Sequence, residues 1–163
     1  MNSDWYVLNV RDAAWRDRGG RGSVTQLVRD DGAQVGVNLF VLGPGEPMAM
    51  YHWEADQEGY LVLAGEALLI VNDSEHPLRQ WDYFHCPPRI PHVLVGAGSG
   101  AATILALGAR IDSVDSPDWG GYPLSGVAQK HDASTEVETN DPAVAYARFA
   151  PGTPGEFRDD WLP

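Results

Sequence analysis

The chain has 163 residues, a formal net charge of -12 and a single cysteine, Cys86. That length suits one domain burying roughly two-thirds of its unfolded surface, and one cysteine excludes an internal disulfide, as expected in a reducing cytoplasm. The acidic balance repels a phosphate backbone, and no basic run interleaved with aromatics offsets it, so nucleic acid is not an expected partner.

Met1 to Trp5 lack the basic-then-apolar pattern of a secretory leader, which points to the cytoplasm. Residues 1–23 carry Trp5, Tyr6 and Trp15 among charges and glycines and are read as an arm packing its aromatics against the β-rich body of the chain. Eight short β-rich runs then succeed one another: Val24–Val28, Val35–Leu42, Ala49–Glu54, Gly59–Ala64, Glu66–Val71, Tyr83–Cys86, His92–Val95 and Ala102–Leu107. Asp30-Asp31-Gly32, Gly43-Pro44-Gly45, Asn72-Asp73-Ser74 and the run from Gly96 to Gly100 separate them with residues that tolerate tight bends. The most apolar stretches, 61–71 and 93–109, are broken by Glu66 or by Gly and Ser, so no membrane span is expected. Such spacing predicts an all-β sandwich or barrel over 24–110, without alternating helices. From Ile111 the chain is rich in Pro, Gly and Asp; residues 111–163 are read as an extension packing on the barrel. Its one helix is expected at Pro142–Arg148, with Asp141 as the cap and Pro142 in the first position.

The segment from Tyr51 to Tyr60 is rich in metal-ligating chemistry. Residues two apart on a strand share a face, which pairs His52 with Glu54. Glu58 has the same parity, and a turn at Ala55–Gln57 folds it back beside Glu54. Two carboxylates and an imidazole then crowd one point, which calls for a cation or a proton between them. A fourth group arrives through Pro87, Pro88 and Pro91, a stiff corner that fixes the entry of His92.

These two segments resemble the paired motifs of the cupin superfamily. The first motif is a histidine, any residue, a histidine, three or four residues, a glutamate, six residues and a glycine. His52, Glu54, Glu58 and Gly65 fall on those positions, with Glu54 standing where the pattern has its second histidine. In the second motif Asp82, Pro87 and His92 match, while Trp81 and Arg89 stand where the pattern has glycines and Gly96 where asparagine is frequent. The resemblance spans about Gly43 to Val95. It implies a double-stranded β-helix, the jelly-roll cupin barrel, holding one divalent metal near its middle and often forming a homodimer. The metal ligands it implies are His52, Glu54, Glu58 and His92, a borderline-to-hard set suited to Mn, Fe, Ni or Zn.

On this reading the chain is a metal-dependent enzyme acting on a small organic molecule inside the barrel. Glu54 or Tyr60 moves a proton, and Phe40, Met50, Tyr60 and Arg89 line the pocket. Dioxygenase-like oxidation is placed ahead of isomerase or lyase chemistry. Two alternatives remain: a noncatalytic binding or sensing module with a structural metal, and a metal-free barrel in which a raised carboxylate pKa relieves the crowding. Glu54 is alternatively a base beside the metal or an ion-pair partner of Arg89. Cys86 is read as a buried apolar group rather than a nucleophile, with His85 on the opposite, outer face. Gly96 to Ala101 fits a dinucleotide-binding fingerprint but is read as a hairpin connection, because the fingerprint needs a crossover helix.

Overall fold

A computed structural model describes residues 5–29, 32–111 and 117–163. Its strands run in chain order as β1 (Trp15–Asp17), β2 (Ser23–Gln26), β3 (Val35–Leu42), β4 (Trp53–Glu54), β5 (Glu58–Ala64) and β6 (Glu66–Val71). β7 (Ser74–Arg79), β8 (Tyr83–Cys86), β9 (His92–Ala97), β10 (Ala102–Ala109), β11 (Gly120–Gly121) and β12 (Thr153–Gly155) complete them. All pair antiparallel, in a seven-stranded sheet ordered β12-β1-β2-β3-β10-β5-β8, a three-stranded sheet β7-β6-β9 and a small β11-β4 pair. The two larger sheets form the jelly roll. Leu42, Val62, Leu69, Leu94 and Ile104 are buried between them at 4% exposure or less.

Several expectations change in the folded chain. The run Ala49–Glu54 is a strand only at Trp53–Glu54, because the segment before it turns to share its hydrogen bonds. Met48 N–H donates to Leu94 in β9, whereas Tyr51 N–H donates to Ala133 in the extension. β7 was not expected; it is mostly exposed, contains Pro77, and is held as an edge strand by a hairpin with β6. Its turn, Asn72 and Asp73 at φ +48° and +57°, has the twist such hairpins favour. The glycine-rich segment after β9 is not a hairpin, since β9 pairs with β6 while β10 pairs with β3 and β5; it crosses between sheets, and no helix follows.

The flanking segments also take part in the main sheet, with β12 pairing with β1 and β1 with β2. Trp15 is buried, its ring tilted against Trp161 with centroids 4.9 Å apart, and the half-exposed Tyr6 donates its hydroxyl to Leu27 carbonyl, while Trp5 remains exposed, contrary to the expected packing. Asp141 caps the helix α2 (Pro142–Ala145), which follows the one-turn α1 (Gly126–Gln129), by accepting from Ala143 N–H, and the helix ends before Arg148. No described helix is long and apolar enough to cross a membrane.

Two of the three non-glycine residues that depart from the cupin pattern adopt the conformation that glycine would supply. Trp81 has φ +75° and Arg89 φ +65°, a region unfavourable to bulky side chains. At Arg89 compensation is visible: its N–H donates to Glu54 carbonyl at 2.7 Å, and its guanidinium lies 5.0 Å from the Trp53 ring centroid. Gly65, at φ +73°, keeps the glycine for a second reason, because a Cβ there would lie 2.2 Å from Ala101 carbonyl oxygen.

Candidate metal centre

His52 and His92 meet because they are directly opposed across an antiparallel bridge. His52 N–H donates to His92 carbonyl at 3.1 Å and His92 N–H returns the bond at 2.8 Å, so both side chains leave on the same face. The imidazole centroids are 4.9 Å apart. A bend at Ala55–Asp56 separates β4 from β5 and starts β5 at Glu58, beside β10 and β8. Ligand atoms of His52, Glu58 and His92 then lie within 4.8 Å of one another, and all three residues are buried. Glu58 Oε2 is 3.5 Å from His92 Nε2.

Both imidazoles are aimed by their backbones. His52 Nδ1 lies 2.8 Å from Met50 carbonyl and His92 Nδ1 2.9 Å from Ile90 carbonyl. A carbonyl only accepts, so each Nδ1 carries the proton and each Nε2 presents its lone pair to the centre. Burial lowers the His52 pKa. It pushes His92 down to about 3, aided by His52 and partly offset by the Ile90 carbonyl. Two neutral imidazoles with converging lone pairs suit a cation.

The carboxylates carry the opposite stress. Burial, then the neighbouring Glu54, pushes Glu58 up to about 8, against a hydrogen bond from Tyr60. Glu54 is raised by burial and by Asp56. Tyr60 hydroxyl sits 2.5 Å from Glu58 Oε1 and 2.9 Å from His92 Nε2. Its single proton serves one of these contacts, and a proton on Glu58 serves the other. This donor set fits a divalent ion, which would neutralise Glu58 and take up the lone pairs.

Glu54 stands at the edge of this group. Its Oε1 is 3.7 Å from His52 Nε2, but it falls outside the compact His52–Glu58–His92 cluster because β4 leaves to pair with β11. Glu54 and Tyr60 both line a cavity of about 900 Å³, as Phe40 does. Met50 does not line it: its side chain is fully buried against Tyr122 and Ala145, and Met48 takes the expected place. Nor does Arg89, which is exposed over Trp53 and meets Glu54 only through its backbone. Arg18, Asn38, Tyr122 and Tyr146 line the cavity without having been anticipated. Asn38 was within reach, since it shares the parity of Phe40, whereas no local signal marks Arg18. Cys86 is 2% exposed and burial pushes its thiol up to about 12, an unreactive state, while His85 faces outward.

Residues 38–108 match the family model of the cupin domain. Solved structures sharing the fold include a sugar phosphate isomerase of the cupin superfamily from Silicibacter pomeroyi, with 28% identity, a TM-score of 0.57, and coverage of 64% of this chain and 76% of that one. An RmlC-like cupin from Shewanella frigidimarina matches at 16% identity and a TM-score of 0.58, covering 69% of this chain and 97% of that one. A cupin 2 conserved barrel domain protein from Salinispora arenicola matches at 18% identity and 0.54, covering 69% and 92%. The last two are likenesses of fold alone. No curated protein matches the sequence. Residues 38–108 thus match a cupin domain in sequence and in fold, and the buried His/Glu/His group within them is a potential metal site.

Proposed function

We propose that this chain is a metal-dependent enzyme that moves a proton on a small hydroxy-carbonyl compound held in the barrel, an isomerase or lyase reaction. The observation that carries the reading is the Tyr60 hydroxyl bridging Glu58 and His92 at the ligand cluster, with the cavity alongside. His52 Nε2, Glu58 and His92 Nε2 would hold the ion, one of Mn, Fe, Ni or Zn. When bound, it supplies a Lewis acid that polarises a carbonyl oxygen. Glu54, on the cavity wall with its pKa raised, would take the proton from the hydroxyl-bearing carbon beside that carbonyl and return it to the former carbonyl carbon, while the hydroxyl proton passes to the former carbonyl oxygen. Tyr60 holds the proton shared with Glu58 and keeps that carboxylate oriented. The similarity to a sugar phosphate isomerase supports this class of reaction.

Oxidation is the second reading, because two histidines and one carboxylate are also the ligand set of non-haem iron oxygenases. One experiment separates the two. Protein loaded with each of the four metals is incubated in deuterated buffer with a panel of aldoses, ketoses and their phosphates, and carbon-bound deuterium is followed by NMR. The expected result is exchange beside the carbonyl that is lost in Glu54→Gln. Oxygen uptake with Fe alone and no exchange would move the assignment to oxidation; neither signal with any metal would leave a noncatalytic binding module.

A further inference from the structure

The wall of the cavity formed by β3 and the arm has a charge that the metal chemistry does not use. Arg18 lies between β1 and β2, outside the stretch that matches the cupin domain, yet it lines the same cavity as Glu58 and Tyr60. Its guanidinium sits 4.9 Å from the Phe40 ring centroid. Of the five N–H groups a guanidinium offers, one is donated to Met48 carbonyl at 2.9 Å and one to Arg21 carbonyl at 2.5 Å. Both acceptors are neutral, and Arg18 Nε is buried with no partner. Arg18 forms no ion pair among the described residues.

Arg21 adds a second cation that forms no ion pair among the described residues. Its guanidinium packs on Tyr146 and Phe149, 4.6 and 4.7 Å from their centroids, and its Nε also lacks a partner. Burial and the repulsion of Arg21 push Arg18 down to about 10, with Tyr146 and Glu46 only partly opposing, so it stays charged at neutral pH. A desolvated cation without an anion is costly, and a ligand anion relieves that cost. Asn38 Oδ1, on the same lining, is likewise buried without a donor and can accept from a hydroxyl.

The sheet register sets how far this wall is from the metal cluster. Gln26, Asn38, Ala106, Tyr60 and Phe84 are successive cross-strand partners, so Asn38 lies two strands from Tyr60, about 10 Å at about 4.8 Å per strand. In the next row Gly108 is the cross-strand partner of Glu58 and Gly36 the partner of Gly108; both line the cavity, Gly108 with open space over it and Gly36 under the side chain of Arg110, which lines the cavity too. The cavity thus has carboxylates at one end and an unpaired guanidinium at the other, with room for a molecule of a few carbons between them.

Resting on the reading of the barrel as a metal-dependent enzyme, we propose that Arg18 is an anion subsite. The substrate then carries a phosphate or carboxylate at one end, a hydroxyl within reach of Asn38, and metal-ligating oxygens at the other end. Arg18 sets specificity and takes no part in the proton transfer.

Metal-free protein is titrated calorimetrically with inorganic phosphate and, separately, with acetate, and binding of Mn, Fe, Ni and Zn is measured independently. Saturable binding of at least one anion is expected, and the stronger of the two names the group. Arg18→Gln should weaken it tenfold or more, Arg18→Lys should recover part of the loss, and His52→Ala should leave it unchanged while abolishing Mn binding. Asn38→Asp, which places a carboxylate on the same wall and leaves Arg18 intact, should also suppress anion binding, so the test survives if Arg18→Gln fails to fold. Anion binding that is absent, or equal in wild type, Arg18→Gln and Asn38→Asp, would overturn the subsite while Mn binding still supported the metal centre. Anion binding that persists while none of Mn, Fe, Ni or Zn binds would retain the subsite and remove the enzyme reading.

Discussion

Metal uptake should be a competition with one proton on Glu58. In the metal-free protein that carboxyl is pushed from 4.5 up to about 8, whereas His52 and His92 are held neutral by burial. A shift of that size corresponds to about 5 kcal/mol between protonation states, an upper limit because relaxation and water entry relieve part of it. The sign follows from the folded state binding the proton more tightly than the unfolded one. This stabilisation is fully present below about pH 4.5 and is lost as pH rises toward about 8; the depressed imidazoles of His52 and His92 act in the opposite sense up to about pH 6.5, so metal-free protein should weaken between about 6.5 and 8 and level off above. A cation needs the ionised form, so apparent metal affinity should rise about tenfold per pH unit between roughly 6 and 8 and level off above. Calorimetry in two buffers of different ionisation enthalpy would count the proton released per ion, and urea unfolding of metal-free protein across the same range would follow stability. Glu58→Gln should bind metal weakly and without this slope. Wild-type affinity independent of pH from 6 to 8 would refute the buried-proton argument.

Three further outcomes test separate steps. Glu54→Gln should retain its metal by elemental analysis, because Glu54 lies outside the compact cluster, whereas His52→Ala and His92→Ala should purify largely metal-free. Gly65→Ala should cost at least about 2 kcal/mol in urea unfolding, combining a left-handed backbone with a Cβ 2.2 Å from Ala101 oxygen; a loss under about 0.5 kcal/mol would mean the loop moves freely. Trp81→Gly should be neutral or stabilising by about 1 kcal/mol, since the side chain is 65% exposed and φ is +75°, and a marked loss would point to packing by Trp81 that the fold does not explain.

Local patterns were enough to establish the β-rich architecture and to bring three ligating groups into one frame. Alternation and turn chemistry are properties of neighbouring residues, and the spacing of His52, Glu58, Gly65, Asp82, Pro87 and His92 preserves the cupin pattern. The bend that returns Glu58, the proline corner before His92 and the cap at Asp141 are likewise set within a few positions. Strand pairing and docking were needed to make His52 and His92 cross-strand partners, to hold Glu54 at the edge, and to turn Met50 away from the cavity while Met48 faces it. They also placed Arg89 outside and brought Arg18 in from the arm. Those outcomes depend on interactions between residues tens of positions apart, which no local pattern encodes. The strand parity that predicts a shared face ends where β4 leaves one partner for another.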